Sequence, residues 1–375
     1  MRPQSTSDSV VIYGGGMAGA MLARALSSAA SVTLVDPLDF FEVPMAVPRN
    51  LVNAKFSERA IIPFASALPR VKHVQGRLIT MRPACGLVED IRGKEMEIEG
   101  KVTVLATGSR FANELMRGTN GTVEERKSFY ARYSKRIESA KRIVIVGGGP
   151  IGVEVAGEIA EAHAHKNITI VEAGPRILSG TTAEVAAHAG DLLDRRGVVV
   201  RTNERIVEGG SSPHDVFSKS GLATTSRGTR LPYDLMIWCT GGSPNTGYMQ
   251  KHYASVLNAQ GRVMVTPELL IAGRSSMYAL GDITDLDENK MAWHIGGQVK
   301  IAASNIAQSL AGQRDLRRLK KYRPKTGNPS MVITVGSRSG VAHLKGFGIV
   351  RSDWFVSVVK ANDMLVSKYR KALGV

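Results

Sequence analysis

The sequence predicts an α/β protein made of two Rossmann-like units and a small α+β unit at its C-terminal end. Three observations carry this. The run Gly14-Gly15-Gly16-x-x-Gly19 reappears as Gly147-Gly148-Gly149-x-x-Gly152. Each copy lies between a short apolar strand and a helical apolar pattern, and each following strand ends on an acid about 20 residues onward, Asp36 and Glu172.

The elements follow in order. Ser9–Tyr13 is an apolar run meeting the first glycines, and the apolar positions from Met17 to Leu26 recur at helical spacing. Val32–Val35 then closes a βαβ unit on Asp36. Val102–Leu105 is a β-branched strand running into Thr107 and Gly108. The second copy reads Arg142–Val146 as strand, Val153–Ala162 as helix and Ile168–Val171 as the strand ending on Glu172. Leu235–Trp238 runs into Thr240 and Gly241, and Tyr278–Leu280 delivers Gly281 and Asp282 ahead of a helix over about Met291–Leu310.

This order implies an insertion. Residues 1–111 and 243–315 form the first unit, and 112–242 the second, its ends lying close together. The basic segment Gly312–Lys325 leads into a Pro/Gly-containing stretch, Pro324–Pro329, that reads as a linker to a small third unit; the C-terminal unit is taken as 316–375, with strands near Val332–Val335 and Val341–Leu344.

Composition sets bounds. The 375 residues exceed one core, and 43% hydrophobic with 22% charged residues is ordinary for a globular chain. Cys85 and Cys239 form neither a CxxC pair nor a metal-ligand spacing, so no disulfide framework and no metal site are expected. Met1–Asp8 lacks an apolar core and no transmembrane run is present, so a cytoplasmic, non-secreted protein is expected, and the Asn120 and Asn167 sequons carry no weight. Net charge is +16, and from Arg314 onward fourteen Lys/Arg face three Asp, so most of it is C-terminal.

A glycine-rich turn entering a helix lets backbone N–H groups approach a pyrophosphate with no Cβ in the way. Gly14, Gly15, Gly16, Met17, Ala18 and Gly19 are therefore candidates for one dinucleotide, and Gly147, Gly149 and Gly152 for another. Asp36 and Glu172 are placed to accept ribose hydroxyls, and a carboxylate there repels a 2′-phosphate. Glu172 thus favours NADH, while Arg176 nearby keeps NADPH open. Two such sites with Asp282 downstream suggest a flavin facing a nicotinamide, although a turn residue is the plain alternative for Asp282.

The order GGGMAG, ATG, GGGPIGVE, CTG and ALGD resembles the two-dinucleotide-binding flavoprotein oxidoreductases. Lys290-Met291-Ala292, Tyr322-Arg323-Pro324, Gly336 and Lys360-Ala361-Asn362-Asp363 narrow it to the ferroptosis suppressor protein and apoptosis-inducing-factor-like quinone reductases. The resemblance runs from about Val10 to Lys371. It implies a pyridine nucleotide-disulfide reductase-like fold, noncovalent FAD, hydride transfer from NAD(P)H and electron delivery to a ubiquinone-type quinone.

It further implies that Gly14–Ala18 hold the FAD pyrophosphate, with Arg49, Leu78, Thr107, Gly108 and Asp282 around the flavin and Gly241 closing the second site. Glu154 matches an acid near the nicotinamide and Lys360 a lysine near the flavin, the two catalytic candidates. The plain alternatives are a first-turn acid for Glu154 and a solvated lysine for Lys360. Arg2 stands where the vertebrate relatives carry a myristoylated glycine, so that anchor is not expected. No cysteine pair follows the first helix, which disfavours thiol chemistry; Cys239 reads as a small packed residue and His294 as a packed or exposed helix residue.

The basic C-terminal third, with Phe347, Trp354 and Phe355, is a candidate surface for an anionic membrane or lipid droplet, against the alternative of a solvated basic face. A monodehydroascorbate- or ferredoxin-type reductase is the alternative enzyme. A redox sensor binding nucleic acid through its charge ranks lower, because no nucleic-acid-binding motif is present. Monomer and homodimer both remain open.

Overall fold

The computed structural model describes residues 9–118, 121–313, 315–328 and 330–375; Arg2 with the rest of 1–8, the Asn120 sequon and Pro329 lie outside them. The chain starts with Ser9–Tyr13 (β1), Met17–Leu26 (α1), Ser31–Asp36 (β2) and Val47–Val52 (α2). Lys72–Met81 (β3), Gly86–Asp90 (β4), Glu95–Ile98 (β5) and Val102–Leu105 (β6) follow. Strands β6, β1, β2 and β3 run parallel in that spatial order, with β4 and β5 added antiparallel at one edge. β1 is almost wholly apolar and inaccessible, as a parallel strand covered on both faces must be.

The second sheet repeats the plan. Val123–Ser139 (α3) opens on a capping box between Thr122 and Glu125. Arg142–Val146 (β7), Pro150–Ala162 (α4), Asn167–Val171 (β8), Val198–Arg201 (β9) and Leu235–Trp238 (β10) form an all-parallel sheet in the order β9-β8-β7-β10. The chain then returns to the first sheet, where Met277–Ala279 (β11) adds parallel to β6, and Ala292–Leu310 (α5) packs on α1. Each expected strand and helix of the two repeats is present, with ends shifted by at most three residues, the largest shift being at the start of α4, which begins at Pro150 and not Val153.

The basic segment that leads into Pro324–Pro329 is packed against the first unit. Leu319 and Tyr322 are buried, the Tyr322 N–H donates to the Pro267 carbonyl at 2.7 Å, and its hydroxyl and the Lys325 N–H both donate to Glu288. Aromatic burial with a satisfied hydroxyl outweighs the local Pro/Gly signal.

Met331–Val335 (β12), Ser339–Leu344 (β13) and Gly348–Val350 (β14) form an antiparallel sheet that packs on α4. The close approach is made at Gly157, where a Cβ would come within 2.7 Å of the Gly336 nitrogen and the Val335 Cα. Asp353–Val356 (α6), a π-helical turn over Ser357–Ala361 and Val366–Leu373 (α7) end the chain, and α7 buries Val366, Tyr369 and Leu373 in the core shared with α1. Among the described residues, no helix is long and apolar enough to cross a membrane.

Candidate active site

Both glycine turns lie at the C-terminal ends of the parallel strands, where an open α/β sheet presents its ligand crevice. Their backbones are near copies. Gly14 has φ 103° and Gly147 φ 107°, a region that favours glycine. The Gly14 N–H donates to the Val35 carbonyl and the Gly147 N–H to the Val171 carbonyl, each at 2.8 Å. A Cβ on Gly19 would strike the Gly14 carbonyl oxygen, and one on Gly152 the Gly147 carbonyl oxygen.

The helices begin bare. α1 starts behind Gly16 and α4 behind Gly149, and neither has a side-chain cap or an acid in its first turn. Their first-turn N–H groups are therefore free for an anionic ligand, beside the positive end of the helix dipole. Met17 and Ala18 form the first turn of α1. Two uncapped N-termini, each behind a cradle that a side chain would fill, fit two dinucleotides.

The two acids are both held by the turns. Asp36, with its side chain 2% exposed, accepts from the Gly15 N–H at 2.5 Å and the Leu38 N–H at 3.0 Å. Glu172 accepts from the Gly148 and Gly174 N–H groups, each at 2.6 Å, and is half-buried. Arg176 is spent locally: its guanidinium donates to the carbonyls of Leu178, Ser179, Thr181 and Thr182.

At the mouth of the first sheet, the Thr107 hydroxyl lies 2.8 Å from the Tyr248 hydroxyl and donates to the Asn245 carbonyl, while the Gly108 carbonyl accepts from the Asn245 N–H. Asp282 is half-buried in a short 3-10 turn; it accepts from the Ser109 hydroxyl at 3.0 Å, and the neighbouring Gly281 N–H donates to Gln298. Gly241 is exposed just beyond β10. Lys290 donates to the Leu286 carbonyl, and burial, helped by Arg262, pulls its ammonium below the usual lysine range. A cavity of about 550 Å³ opens beside this turn, lined by Arg262, Asp285, Glu288, Lys290 and Lys325.

The structure brings Glu154 and Lys360 together across 206 residues. Lys360 Nζ lies 2.5 Å from Glu154 Oε1 and donates also to the Val332 carbonyl. The Thr334 N–H and hydroxyl donate to the same carboxylate oxygen, and the two side chains are 10% and 6% exposed. Lys360 is thus no solvated surface lysine, and Glu154, one turn into α4 and buried, is not the first-turn acid that its position after the glycines suggested. One helical turn further along α4, Glu158 takes a fork of bonds from Arg49, whose Nη1 also donates to the Ala361 carbonyl at 2.5 Å. Burial pushes the Glu158 carboxyl up, with Arg49 opposing. Arg49 therefore braces the π-helical turn that carries Lys360, a type of distortion concentrated at functional sites.

Leu78 lies on β3 among Tyr13, Val35 and Met81 in the apolar core on one face of the first sheet. Cys85 and Cys239 are buried and unpaired, and burial pushes the Cys239 thiol up to about 12. Such a thiol is a packed residue and not a nucleophile. His294 is buried beside Glu288.

Arg117 was not found from sequence. Its Nη2 lies 2.6 Å from Asp36 Oδ2, and the guanidinium faces Gly16. It sits in an irregular segment with no motif, 81 residues from its partner, so neither period nor spacing marks it.

A family model described as pyridine nucleotide-disulphide oxidoreductase matches residues 8–308. The human ferroptosis suppressor protein 1 is 28% identical over 379 residues, covering 97% of this chain and 95% of the relative. The apoptosis-inducing factor homolog B of Dictyostelium discoideum is 27% identical over 385 residues, covering 97% and 96%. Among solved structures, a NAD-dependent persulfide reductase from A. fulgidus superposes with a TM-score of 0.72 at 19% identity, over 90% of this chain and 64% of that one. NDH2 from Plasmodium falciparum in complex with NADH gives 0.70 at 13% identity, over 97% and 98%. These two likenesses establish the two-unit fold.

Proposed function

The chain belongs to the pyridine nucleotide-disulphide oxidoreductase family and so is an oxidoreductase working with a flavin and a pyridine nucleotide; we propose that it uses FAD and NADH to reduce a ubiquinone-type quinone. FAD occupies the first glycine turn, with Gly14, Gly15, Gly16, Met17, Ala18 and Gly19 offering backbone to the pyrophosphate, Asp36 the ribose contact and Asp282 the ribityl side. NADH occupies the second, at Gly147, Gly149, Gly152, Glu172 and Gly241. A flavin held there would supply a two-electron relay, accepting hydride from NADH and returning both electrons to a quinone, whose reduction to quinol consumes two protons.

The observation that carries the reading is the buried Lys360–Glu154 pair. α4 starts at the NADH turn and holds, through Glu154, a lysine from the C-terminal unit. With two of its ammonium hydrogens on Glu154 and the Val332 carbonyl, Lys360 keeps a third to donate to a quinone oxygen as negative charge develops there. Glu154 and the Val332 carbonyl hold the ammonium in place. The absence of a cysteine pair and the raised Cys239 thiol support an acceptor other than a disulfide. The acceptor class itself comes from the family resemblance. NADH is favoured over NADPH because Glu172 stays at the ribose position while Arg176 is committed to four carbonyls.

The quinone is lipid-soluble, and the C-terminal unit offers a surface for reaching it. Phe347, Trp354 and Val358 are 87%, 75% and 59% exposed, with Lys345 and Arg351 in the same unit. Peripheral attachment to an anionic membrane follows, each cation contributing about 1 kcal/mol near such a surface.

The test is a spectrum of the purified protein before NADH, after NADH without oxygen, and after a short-chain quinone. The expected sequence is an oxidised flavin band, its bleaching and its return. No flavin band would end the reading at its root; a bleached band that quinone fails to restore would remove the acceptor. Sedimentation with phosphatidylserine vesicles at low and high salt checks the surface.

A further inference from the structure

The two glycine turns share a backbone but not a roof. Above the second, no atom of the described residues comes within 4 Å of the position a Cβ on Gly149 would take. Above the first, Arg117 Nη1 lies 3.0 Å from the corresponding position on Gly16, and Nη2 is paired with Asp36 at 2.6 Å. A guanidinium thus stands at the bare N-terminus of α1, beside the group that would receive the ribose.

This cation has a fixed base. Residues 111–118 leave β6 towards α3, and Arg126 of α3 grips them by donating to the Glu114 carbonyl at 2.8 Å and the Leu115 carbonyl at 2.9 Å. Arg126 is itself buried against Glu42, and the Leu115 side chain is 1% exposed. Asn113 ties the same segment to the Pro213 carbonyl. The Arg117 side chain, 35% exposed, can turn about this anchor without moving it.

We propose that Arg117 is a binding residue for the pyrophosphate of the dinucleotide in the first turn, and that it controls how long that dinucleotide stays. This rests on the reading of the first turn as the FAD site. The pyrophosphate carries two negative charges, and its approach to the Asp36 carboxylate is repulsive unless a cation stands between them. A guanidinium fork suits phosphate oxygens and Asp36 alike. On binding, Arg117 exchanges its bond to Asp36 for the pyrophosphate, closing the solvent side of the turn while α1 closes the other, and leaves Asp36 for the ribose hydroxyls. Among the described residues no cation stands at the corresponding place on the second turn, which suits a site that exchanges its nucleotide every turnover.

The experiment uses the full chain with Arg117→Gln and Arg117→Lys. Flavin release is followed as the rise in free FAD fluorescence after dilution, over a series of salt concentrations. A lost charge-assisted contact predicts release ~10–100-fold faster for Arg117→Gln, with Arg117→Lys between it and the wild type. Wild-type release accelerates with salt and that of Arg117→Gln does so much less. NADH affinity stays within about twofold, since the second turn is untouched. Stripped of flavin, Arg117→Lys keeps a cation beside Asp36 and melts close to the stripped wild type, while Arg117→Gln, which leaves Asp36 to the Gly15 and Leu38 N–H groups, melts lower. Equal release rates for Arg117→Gln and wild type overturn the proposal while leaving FAD in the first turn. A wild-type chain that takes up no flavin overturns both.

Discussion

Set side by side, the two glycine turns show one backbone solution with two finishes. Each has a positive-φ glycine bonded to the neighbouring strand, an uncapped helix and an acid caught by the turn. The finishes come from elsewhere in the chain. The first turn receives Arg117 from the segment before α3, and the second receives nothing at Gly149 but shares its helix with the C-terminal unit through Glu154 and Glu158. Local sequence builds a nucleotide site; distant residues decide whether it stores a nucleotide or works with it.

The strongest way to break this comparison is to damage one turn and spare the other. Gly152→Val puts a side chain onto the Gly147 carbonyl, in a backbone contact that cannot give way cheaply. Flavin content should stay near one per chain while NADH-driven bleaching disappears; dithionite still bleaches the flavin. The mirror variant, Gly19→Val, should yield protein without flavin. If both variants lost flavin equally, the two turns would not be separate sites.

Next in size is the link from the second turn to the acceptor. Lys360→Met leaves Glu154 buried without its cation, at a cost of ~3–5 kcal/mol in stability. It should slow reoxidation by quinone ~100-fold, as loss of a general acid or charge donor does, with bleaching by NADH far less affected. Stopped-flow measurement of the two half-reactions reads this directly. Lys360→Met with Glu154→Gln should recover much of the melting temperature but none of the reoxidation rate. Full-speed reoxidation in the single variant would reduce the pair to a packing feature.

The difference in finish also marks how far the sequence could be read. The strands and helices of both repeats were legible because strand–turn–helix spacing is local and glycine has a steric reason to be there. The meeting of Glu154 and Lys360 was not, since a glutamate near a helix start and a C-terminal lysine each have an ordinary explanation until the fold buries them together. Arg49 was singled out by resemblance as a flavin contact. The structure shows its fork on Glu158 and the Ala361 carbonyl, a bond set fixed by the docking of three separate segments. Arg117 carried no signal, because its meaning depends on a loop conformation that Arg126 and Glu42 impose from 84 residues apart. The packing of the basic segment before Pro324 was hidden for the same reason: the Tyr322 hydroxyl finds Glu288, 34 residues away.

A smaller effect sharpens the contrast between the acids. Glu172→Gln keeps an acceptor for one of the two turn N–H groups but loses the charge that repels a 2′-phosphate. The ratio of kcat/KM for NADH over NADPH should fall ~10-fold, chiefly through better use of NADPH. Arg176→Ala should barely move that ratio, since Arg176 serves the Leu178–Thr182 turn. A large shift on Arg176→Ala would mean that the arginine leaves its carbonyls when nucleotide binds.

The smallest expected effect separates the two sheets at their far ends. Asp234 receives the N–H groups of Lys141 and Arg142 and the Arg142 guanidinium, fastening the starts of β7 and β10; in the first sheet the Lys101 N–H donates to the Ser9 hydroxyl at the start of β1. The Arg142 side chain, then the Arg142 and Lys141 N–H groups, hold the Asp234 carboxyl down to about 2, from 3.8. A carboxyl depressed in the folded state binds its proton less readily than in the unfolded chain, so its contribution is complete above the unfolded value. It is lost as the pH falls from 3.8 towards 2. Because Arg142 is 46% exposed, screening limits the gain to ~1 kcal/mol or less. Asp234→Asn should lower the melting temperature by a few degrees at pH 6, with the gap to wild type closing below pH ~3. The acid limb should belong to the second sheet: flavin retention over the same pH range should not distinguish the variant, because Asp234 lies at the opposite strand ends from either glycine turn. A gap that persists at pH ~2 would assign the loss to side-chain packing instead of charge.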